Sequence, residues 1–194
     1  MDEKQAIALL KKHSTDENAF KAVLAHSRTV QKKALETAEA IKRRNTDIKI
    51  DTDFIKTACI LHDIGRFKYP PGRDSIKHGL AGAELLRREG LNEEYARVCE
   101  RHLGAGIPKE DVEKRNLPIP PKDYIPETIE EKIIAYADNL SSQNSICTSK
   151  DAVERFTKEI GSEAGERVKK LHNEIESLMT ENKTKDQKTN EKAG

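Results

Sequence analysis

Six histidines occur in this 194-residue chain: His13, His26, His62, His78, His102 and His172. Four of them, His26, His62, His78 and His102, fall at or near the ends of predicted helices or at loop junctions. His62 is followed directly by Asp63, and a second acid, Asp138, interrupts the apolar run IIAYADNL. A carboxylate inside such a run needs a partner or a metal, because an isolated buried charge is costly. Taken singly these are weak signals. A lone buried histidine is more often a hydrogen-bonded core residue than a ligand, and with 34 acids in the chain a His-Asp neighbour pair arises by chance. The ensemble says more. Imidazole nitrogens and carboxylate oxygens together suit Fe, Mn, Zn, Co or Ni. Four histidines and two aspartates can give about three ligands to each of two such ions if one carboxylate bridges. Coordination positions then remain for water and substrate, as catalysis requires.

The elements that must position these residues read as helices. Apolar residues make up 35% of the chain and charged residues 36%, the balance of amphipathic helices with a narrow inward stripe. Ala6, Leu9 and Leu10 predict a helix over 3–12, and Ser14 to Asn18 offer caps for the next segment. Residues 20–41 carry Val23, Val30, Ala34, Ala38 and Ile41 at helical spacing, as one long helix or two joined near His26. A helix from the Asp51–Asp53 cap to about 63 contains FIKTACIL, apolar almost all round, and is expected at the centre. Ile55, Cys59 and His62 share one face of it, with Asp63 at its end beside Gly65. A loop over 65–75 leads to helices over 77–89 and 92–102. Residues 104–126 hold five of the seven prolines and read as a long irregular loop, a length that is often functional. A helix over 128–140 follows, then two more after Ser149 and Ser162. The expectation is an all-α, compact bundle of about seven to eight helices, with residues 1–180 as one domain. Residues 181–194 have almost nothing apolar to bury and read as a disordered tail.

Composition also limits partners. Lys and Arg number 35 and Asp and Glu 34, so charge offers no argument for nucleic acid or a membrane surface. Cys59, Cys99 and Cys147 show no CxxC spacing, and their odd count argues against a disulfide framework. The acidic amphipathic start MDEKQAIALLKKH is unlike a signal peptide. No apolar stretch approaches the ~20 residues of a membrane span. A reducing, cytoplasmic setting is expected.

Five blocks carry a resemblance: His26 in HSRTV, LHDIGR with His62 and Asp63, His78 in KHGLAGAELL, His102 in RHLGAGIP, and Asp138 in IIAYADNLS. In these the sequence resembles the HD-domain superfamily of metal-dependent phosphohydrolases, and within it the HDIG type, over about residues 20–145. The order His…His-Asp…His…His…Asp is similar to its dinuclear variant. HGLAGAELL and EKIIAYAD look especially like the bacterial HD-type diadenosine tetraphosphate hydrolases. The resemblance implies that Asp63 bridges two divalent metals, that His26, His62 and Asp138 complete one, and that His78 and His102 complete the other. It implies a metal-bridging hydroxide that attacks phosphorus in line, which makes Asp63 catalytic as well as a ligand. The implied substrate is a small phosphate-containing molecule, a nucleotide: a dinucleoside polyphosphate, a nucleoside monophosphate or a small cyclic phosphodiester. A homodimer stays open.

The chain departs from its relatives where Arg66 stands in a position that often carries Lys. The GYP motif of cyclic-di-GMP phosphodiesterases is missing, which argues against that activity. Residues 105–125 look specific to a subgroup. Arg66 could clamp a substrate phosphate through its planar fork, with a surface loop arginine as the alternative. For Lys68, Arg73 and Lys77 a solvated loop is the better reading. Gly104-Ala-Gly106 reads as a turn before it reads as a phosphate cradle. Ser141, Ser142 and Asn144 could touch substrate or simply end a helix. His13 and His172 are placed at the surface or core edge. Two other functions share the ligand set: a di-iron oxygenase of the HD type, and a ligand-binding module without catalysis.

Overall fold

Caps written in the sequence start the first helices. Asp2 accepts from the Gln5 backbone while the Gln5 side chain accepts from the Asp2 backbone N–H, a reciprocal cap that opens α1 (Glu3–Lys12). Asp16 accepts from the backbones of Asn18 and Ala19 and opens α2 (Glu17–Arg44). In this computed structural model, which describes residues 1–142 and 145–180, α2 runs unbroken through His26. No glycine or proline interrupts it, and its stripe from Phe20 through Val30, Ala34 and Ala38 to Ile41 is buried. The expected tail at 181–194 and Asn144 lie outside the described residues.

The centre is α3 (Thr52–Leu61), capped by Asp51. Both its faces are buried. Ile55, Ala58 and Cys59 enter one core with Val30 and Ala34 of α2, Ile133 and Ile134 of α7 (Ile129–Leu140) and Ile175 of α9 (Ser162–Thr180). Ile60 and Leu61 enter a second core with Leu10 of α1, Leu86 of α4 (His78–Arg88) and Cys99 of α5 (Glu93–Arg101). Each such Leu or Ile contributes roughly 1.5–3 kcal/mol when buried. Clamped from both sides, α3 fixes the place of its C-terminal residues, His62 and Asp63.

A 3-10 turn over Ile64–Phe67 follows α3. A Cβ on Gly65 would stand 1.9 Å from the carbonyl oxygen of His78. Only glycine lets the start of α4 press against this turn, and that contact sets His78 beside Asp63. A second 3-10 turn, Ser75–Lys77, leads into α4.

The segment expected to be irregular over 104–126 holds more structure than its prolines suggest. It contains α6 (Lys109–Lys114) and an antiparallel bridge between Ile107 and Tyr124. Pro108 sits just before α6, where a missing N–H leaves no helical hydrogen bond unmade. With α6, and with α8 (Ser149–Glu159) between α7 and α9, the described residues form nine α-helices. The remaining regular structure is a two-residue antiparallel pair, β1 (Ser141–Ser142) with β2 (Ser145–Ile146). The fold is all-α. Among the described residues no helix is long and apolar enough to cross a membrane.

Candidate metal centre

Six side chains from five parts of the chain meet at one point. His26 comes from α2, His62 and Asp63 from the end of α3, and His78 from the first residue of α4. His102 follows α5, and Asp138 lies in the last turn of α7. All six sequence-predicted ligand positions are brought together. The Asp63 carboxylate divides them. Its Oδ1 lies 2.9 Å from His78 Nε2 and 3.4 Å from His102 Nε2. Its Oδ2 lies 3.6 Å from His26 Nε2 and 3.9 Å from His62 Nε2. Asp138 Oδ1 lies 2.9 Å from His26 Nε2 and 3.5 Å from His62 Nε2.

The rings are aimed from behind. His62 Nδ1 donates to the Cys59 carbonyl at 2.7 Å, and His102 Nδ1 to the Cys99 carbonyl at 2.8 Å. His78 Nδ1 donates to the Ser75 carbonyl. An imidazole with its proton on Nδ1 has its lone pair on Nε2. Three lone pairs therefore point inward, held by the kind of backbone contact that orients metal-bound histidines.

Two observations test whether a metal fits. His62 Nε2 is buried and has no hydrogen-bond partner, an expensive state for a polar atom. His78 Nε2 and His102 Nε2 face each other at 3.0 Å, two acceptors with no proton between them in these tautomers. A cation answers both, and the oxygen and nitrogen donors match a divalent transition metal. The ligand atoms of His26, His62 and Asp138 lie within 4.8 Å of one another, as do those of His62, Asp63 and His102.

Electrostatics agree. Burial works against charge on Asp63 and Asp138, yet the surrounding imidazoles hold both carboxyls well below their usual range. Burial likewise pushes the His62 pKa down, but the two carboxylates raise it to about 9, so without a metal Nε2 carries a proton, and a bound cation would take that proton's place. His102 is lowered, by burial first and by its neighbouring histidines. Two ionised carboxylates among imidazoles make a pocket that attracts positive charge.

A cavity of about 460 Å³ opens onto the centre, with His26, His78, Asp138 and Arg66 in its lining. Arg66 Nε donates to Asp63 Oδ1 at 3.2 Å. Lys68, Arg73 and Lys77 do not line the cavity, and Lys77 is paired with Asp74 at 2.8 Å. Gly104 and Gly106 have φ of 60° and 85° and form a turn, as expected, in the cavity wall. Ser141 lines the cavity too, its hydroxyl given to the Ala137 carbonyl at 2.8 Å. His13 sits at the core edge, 2.8 Å from Glu89.

His172 departs from its expected edge position. It is 1% exposed, edge-on to the Tyr136 ring at 4.8 Å. The packing of α8 and α9 over α7 encloses it.

Sequence reasoning missed Asn139, which is 1% exposed. Its Nδ2 donates to the Gly104 carbonyl at 3.0 Å and lies 3.4 Å from His172 Nε2. It therefore ties the helix bearing Asp138 to the turn after His102. An amide directly behind the one acid of an apolar run was the available signal. Arg155, Phe156 and Arg167 of the cavity wall gave none, being ordinary residues of charged amphipathic helices.

With the geometry in place, comparison with known proteins decides the lineage. A family model described as the HD domain matches residues 23–143. The chain belongs to the HD-domain family. This is the metal-dependent phosphohydrolase superfamily expected from the blocks around the six ligand positions. All six, and Arg66, fall inside the matched stretch; α8 and α9 lie beyond it. An uncharacterised protein of Methanocaldococcus jannaschii is 39% identical over 181 residues, covering 92% of this chain and 99% of that one. A Picrophilus torridus protein named tRNA (cytidine(56)-2'-O)-methyltransferase is 39% identical over 177 residues. The match covers 91% of this chain and 47% of that relative, so the chain spans about half its length. The HD domain of the L. monocytogenes phosphodiesterase PgpH superposes with a TM-score of 0.50 at 18% identity, over 89% of this chain and 96% of that chain. That likeness is one of fold.

Proposed function

We propose that this HD-domain protein hydrolyses a phosphoester or phosphoanhydride of a nucleotide, with two divalent metals held by His26, His62, Asp63, His78, His102 and Asp138. The division of the Asp63 oxygens between two histidine pairs carries this reading. Oδ1 with His78 and His102 makes one set of donors; Oδ2 with His26, His62 and Asp138 makes the other. Bound there, two divalent ions would supply Lewis acidity and a nucleophilic hydroxide near neutral pH.

The chain's own residues do the rest. The backbone carbonyls of Cys59, Ser75 and Cys99 hold three imidazoles in the Nδ1–H tautomer, so no reorientation is needed. Arg66 stands beside Asp63 in the cavity wall and offers further donors to a phosphate at the centre. The cavity is of a size that takes a small organic ligand and supports a nucleotide-sized substrate. The methyltransferase name belongs to a relative about twice as long, and the proposed hydrolysis does not draw on it.

The test is a panel of phosphomonoesters, phosphodiesters and phosphoanhydrides, assayed with the protein loaded with Mn, Fe, Co, Ni or Zn. Release of phosphate or nucleotide product that depends on metal supports the proposal. Oxygen uptake without phosphate release would replace it with the oxygenase. Binding without turnover would leave a ligand-binding module.

A further inference from the structure

The cavity continues past the metal centre to a wall built from α8 and α9, outside the residues matched by the HD model. Phe156 of α8 forms part of it and is half-buried. Its ring packs on Gly104, where a Cβ would stand 2.9 Å from the ring carbon Cε1. The turn after His102 is thus shaped to admit this ring. The Arg155 guanidinium sits 5.3 Å from the ring centroid, and its Nη2 donates to the Asn139 carbonyl at 2.8 Å. Gly104 and Arg155 together hold the ring in place.

Ile107, Leu117 and Val168 add apolar side chains to the lining of the same cavity. Arg167 pairs with Asp111, and both line the cavity. Arg167 Nε is buried without an acceptor. An apolar, aromatic floor bordered by a donor beside a carboxylate suits a flat heterocycle with acceptors and donors on its edge.

We infer that this wall is a nucleobase subsite: Phe156 packs against the base and the Arg167–Asp111 pair reads its edge, while the phosphate lies at the metal centre. The inference rests on the nucleotide reading above and assigns specificity to α8 and α9 together with Asp111 of α6.

Calorimetry of the metal-loaded protein with the four common 5'-ribonucleotides and with ribose 5-phosphate, each as its non-hydrolysable phosphonate, tests it. At least one nucleotide should bind about tenfold or more tighter than ribose 5-phosphate, since base–aromatic packing alone supports that difference. Phe156→Leu keeps the contact with Gly104 and should remove most of the difference while leaving ribose 5-phosphate affinity unchanged. Arg167→Gln should change the ranking among bases. A melting curve for each variant reports its folding. If nucleotides bind better than ribose 5-phosphate but both variants retain the full preference and ranking, the subsite is wrong and the nucleotide reading stands. If no nucleotide binds better than ribose 5-phosphate, the subsite is overturned. If neither nucleotides nor ribose 5-phosphate bind, the nucleotide reading falls with it.

Discussion

The Nε2 atoms of His78 and His102 face each other across 3.0 Å, each ring with its Nδ1 turned to a backbone carbonyl. Two lone pairs so placed repel unless a positive charge is shared between them. The same pair flanks Oδ1 of Asp63, while His26 and His62 face Oδ2.

Metal stoichiometry should follow that division. Asp63→Ala removes both oxygens and should strip both ions. His78→Ala removes one nitrogen from one set and should weaken mainly one. Elemental analysis after gel filtration reads the two ratios. Equal loss in both variants would count against the division.

Arg66→Ala should leave metal content intact, because Arg66 is no ligand, yet lower kcat/KM by about tenfold to a hundredfold. That is the effect of losing a charge-assisted hydrogen bond worth ~1.5–3 kcal/mol. Lys should restore only part, having the charge without the planar fork. Steady-state kinetics at fixed metal occupancy checks this. Wild-type kinetics in Arg66→Ala would remove Arg66 from substrate binding.

Asn139→Ala should destabilise the fold by ~1–3 kcal/mol, since it strands the buried Gly104 carbonyl. At this chain length that lowers Tm by roughly 3–10 °C. An unchanged Tm would show that the link between the Asp138 helix and the His102 turn is unimportant.

Acid should weaken the fold through His172. Burial lowers its pKa to about 4, with Glu176 opposing and Arg155 adding to the fall. The unfolded value lies near 6.5, so the folded state resists protonation. The contribution is complete above about pH 6.5 and is lost as pH falls toward 4, up to ~3 kcal/mol. His172→Gln cannot titrate. Urea unfolding near pH 7.5 and near pH 4.5 should show wild type losing more stability than the variant. Equal losses would contradict the assignment.

The central helix is legible because its signal is local, whereas the six site positions are legible only as an ensemble, through the family resemblance that their blocks carry. FIKTACIL is apolar almost all round, which predicts a central, buried helix, and His62 and Asp63 follow it directly. Gly65 and Gly90 marked breaks that the helices respect. The rest depends on packing at a distance. Lys109–Lys114 is only six residues long and hides among prolines. His172 packs against Tyr136 and Asn139 of α7, and Asn139 is 33 residues away in sequence. Phe156 and Arg167 meet the cavity only because α8 and α9 fold back over α7.

If Asp63 and its five partners form a hydrolytic metal centre, product release from the best nucleotide of the panel shows it most directly, measured on the metal-loaded protein, the chelator-stripped protein and the stripped protein after metal is returned. The expected result is turnover, its loss and its recovery, with none at any stage for Asp63→Ala. Turnover that survives both chelation and Asp63→Ala, or none from any phosphate ester at full metal occupancy, would contradict it.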